Sequence, residues 1–86
     1  MVAGVKGTTI TADDVLFGDP DLSNPSIIGL IHTGSTFELI DSEFVRGNFG
    51  NATATYQRLG AKIKVLTGEL TGKTGYVWVS PRIEWQ

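Results

Sequence analysis

Few side chains in this 86-residue chain could do chemistry. There is one histidine, His32, and no cysteine. A lone histidine cannot build a His-rich metal site, and without thiols there is neither a zinc–cysteine site nor a disulfide framework. His32, Ser35 and Asp41 are the residue types of a hydrolytic triad. Their spacing sets them on adjacent short strands around a turn, with no glycine elbow to present the serine. We therefore expect no enzyme, no cofactor and no metal.

Other stretches come close to motifs. Gly68-x-x-x-Gly72-Lys73-Thr74 is one residue short of a phosphate-binding loop, with Thr67 standing where the first glycine belongs. Such a loop must open a helix, whose N-terminal N–H groups and dipole hold the phosphates. Here Gly75-Tyr76-Val77-Trp78-Val79 follows, which is strand chemistry stopped at Pro81. Gly68 and Gly72 are better read as the positive-φ residues of a turn. Asp19-Pro20-Asp21-Leu22-Ser23-Asn24 starts like a calcium loop, but Asn24 replaces the sixth-position glycine and Leu30 the twelfth-position glutamate. Loop aspartates that cap their own backbone explain it. Asn51-Ala52-Thr53 fits a glycosylation sequon, which matters only in a eukaryotic secretory pathway. Arg46-Gly47-Asn48-Phe49-Gly50 mixes residues found in some RNA-binding segments, but one copy reads as a hairpin tip.

The elements that must position these residues are strands. No 3.6-residue apolar stripe persists, whereas short β-branched runs recur. Strands are expected at 5–11, 27–32, 36–41 (continuing toward Phe44), 56–67 and 74–79, with a short closing strand at 82–85. In Lys62-Ile63-Lys64-Val65 the alternation buries Ile63 and Val65 and leaves both lysines in water. Residues 13–26 hold Gly18, Pro20, Pro25 and four aspartates, and read as one long loop. About five or six short strands without helices make an all-β chain, a small antiparallel barrel in one domain over residues 1–86, with 1–4 a loose tail.

Net charge is −2, which argues against non-specific nucleic-acid binding. Up to Phe44 seven acids face Lys6 alone, and from Val45 six bases face Glu69 and Glu84. Strands of both halves interleave in a small barrel, so this asymmetry reads as complementary surface charge before a steering field. No stretch reaches membrane-spanning length, and the N-terminus lacks the apolar run of a secretory signal. The expectation is a soluble intracellular product or a domain of a longer envelope or phage lytic protein.

Two stretches together carry a family pattern: Ser26-Ile27-Ile28-Gly29-Leu30-Ile31-His32-Thr33-Gly34-Ser35-Thr36-Phe37-Glu38-Leu39-Ile40-Asp41, and Gly72-Lys73-Thr74-Gly75-Tyr76-Val77-Trp78-Val79. In order and spacing they resemble the bacterial Src-homology-3 (SH3) family from Thr8 to the C-terminus. Ile28-Gly29, the Gly34-Ser35-Thr36 turn and Gly72 to Val77 carry most of the likeness. The chain departs from the family where Phe17 replaces an arginine and Tyr76 a tryptophan, and where the stretch from Asp41 to Tyr56 is long. The resemblance implies an SH3-like barrel with a groove for peptide, commonly a peptidoglycan stem or cross-bridge peptide.

Alternation points to the same strand. If Val77 and Val79 face the core, Tyr76 and Trp78 share the opposite face, where they serve either as a platform for a peptide or as cover for the barrel's second layer or a dimer contact. Phe17, in the acidic loop, would complete a groove if that loop folds over the sheet. Asp19 and Asp21 would meet amines there, Tyr56 or Phe49 would extend the platform, and Trp85 would plug the open end of the barrel. The expected partner is a peptide or peptidoglycan. A structural or assembly role, such as a phage virion component with protein neighbours, is the second reading. A small inhibitor docking on a protein is the third.

Overall fold

The structure, a computed structural model, describes residues 3–18, 27–41, 44–47 and 58–86. The described residues form eight strands and no helix: β1 (Lys6–Thr9), β2 (Asp14–Phe17), β3 (Ile27–Ile31), β4 (Thr36–Leu39), β5 (Val45–Gly47), β6 (Arg58–Val65), β7 (Thr74–Trp78) and β8 (Ile83–Trp85). All pairings are antiparallel in one sheet of order β3-β2-β7-β6-β4-β1-β8, with β5 beside β6. β4 and β5 both pair with β6, through Leu39↔Ile63 and Val45↔Gly60, while β7 takes its other side.

The expectation of five or six strands is corrected to eight. Asp14–Phe17 is a strand, not loop, because β3 pairs with it from Asp14 to Phe17, β7 joins at the Phe17↔Tyr76 pair, and Leu16 is wholly buried. Local composition loses to this tertiary pairing. β5 lies where the glycine and asparagine content had suggested a hairpin tip, held by three register pairs to the longest strand.

The core joins Leu16, Ile31, Phe37, Leu39, Ala61, Ile63, Val65, Val77 and Ile83. β3 and β8 are the two ends of the sheet, yet both supply core residues, so the sheet curls around a single interior. Among the described residues β3 pairs only with β2 and β8 only with β1, and no strand pair closes the curl. Period-two burial follows the pattern expected on β6, with Ile63 and Val65 buried, Lys64 exposed and Lys62 half-buried. Trp85 lies half-buried against the core, edge-on to Phe37.

Turns are built as their residues dictate. The Ser35 N–H donates to the His32 carbonyl at 3.0 Å, with Gly34 at φ 91° in the tight position. The Gly68–Gly72 stretch closes the β6–β7 hairpin. Both glycines have positive φ, and the Gly72 N–H donates to the Val65 carbonyl at 2.8 Å. It delivers a strand, so the phosphate-loop geometry is absent. At the N-terminal side the Gly4 N–H donates to the Leu39 carbonyl at 2.8 Å.

Candidate functional site

β7 sorts its side chains as its alternation requires. Val77 is fully buried in the core, while Tyr76 and Trp78 are half-buried on the other side. β2 comes alongside through the pair Phe17↔Tyr76. Gly75 permits this approach, since a Cβ there would lie 2.6 Å from the Phe17 carbonyl oxygen. The tight contact explains why a glycine precedes the aromatic run.

Phe17 is thereby placed, and differently from expectation. It is the last residue of β2, not part of a loop folding over the sheet, and it is only 3 % exposed. It lies outside the core group and instead lines a cleft of about 50 Å³ with Asp14, Val15, Trp78 and Arg82. Of the expected site residues the cleft unites Phe17 and Trp78. Tyr76 sits beside Phe17 in register but does not line it. Asp19 and Tyr56, with Asp21 and Phe49, lie outside the described residues.

Asp14 and Arg82 were not foreseen. Pro81 and Arg82 form the centre of a turn closed by the Ile83 N–H on the Ser80 carbonyl at 3.1 Å, and proline suits its first central position. The Arg82 carbonyl accepts from the Ile10 N–H at 2.9 Å, so the backbone under the guanidinium is tied to the end of β1. From there the guanidinium reaches 5.8 Å from the Trp78 ring centroid, and its Nη2 lies 3.6 Å from Oδ1 of Asp14. Asp14 is buried, and its Oδ2 has no hydrogen-bond partner among the described residues. Burial pushes the Asp14 carboxyl above the ordinary range. The Arg82 charge opposes this in part, and the Asp13 charge adds to it. A sequence signal existed: in Asp14-Val15-Leu16-Phe17 alternation sets the acid in step with core-facing Leu16, and a buried carboxylate needs a cation.

A second polar group ties two turns together. His32 Nδ1 lies 3.1 Å from Asp13 Oδ2, and its Nε2 lies 3.6 Å from Glu69 Oε2. Asp13 Oδ1 accepts from the Thr33 N–H at 2.8 Å and from the Thr33 hydroxyl at 3.1 Å. Those hydrogen bonds, the backbone one first, hold the Asp13 carboxyl below its ordinary range. The bond to Asp13 raises His32. Both ring nitrogens thus face carboxylates rather than Ser35 or Asp41. Among the described residues no group of three or more His, Asp or Glu side chains could hold a metal ion.

Nothing matches this chain among protein families, curated proteins or solved structures. The chemistry of the cleft therefore rests on its own residues. It has an aromatic wall in Trp78, an aromatic partner in Phe17, and an ion pair whose carboxylate keeps one oxygen unmatched among the described residues. About 50 Å³ admits one small group, not a folded ligand or a nucleotide.

Proposed function

We propose that the protein is a small SH3-like barrel that serves as a non-catalytic binding module for peptide. A bacterial cell-wall peptide is the ligand that the family resemblance implies. The observation that carries the reading is the cleft of Phe17 and Trp78 beside the Asp14–Arg82 pair, on the side of β7 opposite core residue Val77. Trp78, half-buried there, offers amphipathic contact area at low rotamer cost. A space this small suits a single side chain anchored from a longer peptide laid over Tyr76. The curled antiparallel sheet with one interior is compatible with the barrel.

The test is co-sedimentation with purified peptidoglycan. The wild-type protein should pellet with it, and Trp78→Ala should stay in the supernatant while keeping its β-sheet circular dichroism. Wild-type protein that stays in the supernatant sinks the wall reading.

One observation favours an assembly role as the second reading. β3 carries no charge, pairs only with β2 among the described residues, and exposes Ile27, Ile28 and Leu30. An uncharged apolar edge strand invites pairing with another chain. Light scattering decides: a strict monomer at millimolar concentration, unchanged by Leu30→Lys, removes this reading.

A further inference from the structure

The cleft already holds a cation. The Arg82 guanidinium stands between the Trp78 ring and the Asp14 carboxylate, an aromatic face and an anion that both favour positive charge. Its fit is loose. The nearest nitrogen is 3.6 Å from Oδ1, and Oδ2 of the same buried carboxylate is unpartnered among the described residues. A buried carboxylate oxygen without a donor costs free energy that a better-placed donor would recover. Arg82 is held by its backbone, whereas its side chain is 39 % exposed and can leave toward water.

We propose that this cleft is a receptor for the end of an alkylammonium chain, such as a lysine-type side chain of a bound peptide, and that Arg82 is its resident occupant, displaced when the ligand enters. The inference rests on the reading of the cleft as a peptide contact. An ammonium group is compact enough for about 50 Å³ and carries three donors, enough to serve both oxygens of Asp14. Its alkyl stem would run along Phe17 and Val15, which line the same space. A carboxylate or phosphate would be repelled by Asp14. A neutral group replacing Arg82 would leave the buried charge unpaired.

The experiment is an NMR titration of the labelled protein with n-butylammonium chloride at constant ionic strength, with sodium butyrate and n-butanol as controls. The Trp78 indole N–H is the readout, assigned by its loss in Trp78→Phe. Butylammonium should shift it saturably and the controls should not. Removing the competitor in Arg82→Gln should tighten binding roughly fivefold, and Arg82→Gln with Asp14→Asn should abolish it. A native spectrum for Arg82→Gln without a saturable shift, or with an equal response to butanol, overturns the proposal. If Arg82→Gln does not fold, the wild-type protein decides: butylammonium must shift Trp78 and butyrate must not, and failure of that contrast overturns it. Co-sedimentation with peptidoglycan without an ammonium response would keep the module and remove this ligand class. The reverse result would keep the receptor and remove the wall reading.

Discussion

Phe37 and Trp85 meet edge to face, with ring centroids 5.5 Å apart and planes at 79°. They come from strands on opposite sides of β1, and Gly7 is the register partner of both. The two rings fill the space that a side chain at Gly7 would occupy, a glycine covered by cross-strand aromatics. A Cβ at Gly7 would lie 2.7 Å from the Phe37 ring and 2.9 Å from the Trp85 ring. Gly7→Ala should therefore destabilise the protein by about 1–3 kcal/mol through overpacking, despite the better strand propensity of alanine. Urea denaturation measures it, and a stability equal to wild type would refute the packing argument.

Gly75 plays the matching part for the cleft. Its virtual Cβ meets backbone, the Phe17 carbonyl oxygen at 2.6 Å, as well as Leu16 and Ile28 side chains. Backbone cannot rotate aside, so Gly75→Ala should part β2 from β7 at the Phe17↔Tyr76 pair. The expected result is a loss of about 2 kcal/mol or more, with amide shifts concentrated on β2 and β7. Shifts spread evenly over the sheet would contradict it.

Gly72 isolates the conformational effect. It has φ 88°, and nothing lies within 4 Å of its virtual Cβ. Gly72→Ala should cost about 1–2 kcal/mol from backbone strain alone. Lys73→Ala, one residue on and exposed, should stay within about 0.5 kcal/mol of wild type. Thermal melts of the two variants test the reading of this segment as a turn. A phosphate-loop role would instead make Lys73 the sensitive position, seen as lost nucleotide binding.

His32 links the turn after β3 to the turn after β6, so its titration should be visible in stability. Its folded pKa lies above 6.5, so its contribution is full below pH 6.5 and is lost as pH rises through the raised value. Asp13 has the opposite sign. Its folded pKa lies below 3.8, so its contribution is full above pH 3.8 and is lost as pH falls through the lowered value. The Asp13–His32 pair is thus most favourable in mildly acidic solution, and both groups are solvent-exposed, which keeps the effect small. His32→Gln should flatten the fall in Tm between pH 6 and 8. NMR titration of His32 to a pKa below 6.5 would contradict the pairing.

Much of the fold was legible along the chain because alternation is a local property. Ile63, Val65 and Val77 are core residues and Tyr76 and Trp78 are not, as period two requires. The turn glycines were legible for a similar reason: Gly34, Gly68 and Gly72 lie in short polar punctuation between apolar runs, and each has positive φ. β2 was not legible. Its four residues lie in an aspartate-rich stretch, and what makes them a strand is the pairing with β3 and, at Phe17, with Tyr76 of β7 far along the chain.

The cleft divides the same way. Trp78 could be assigned to the outer side of its strand from its neighbours alone, since a strand's own geometry sets which way each side chain points. Phe17, Asp14 and Arg82 come together with it only when the sheet curls and the turn at Pro81 brings the chain back. Asp14 and Arg82 are far apart in sequence, and no local pattern encodes their distance. Their meeting follows from sheet order and register, which are set by burying both ends of the sheet in one core.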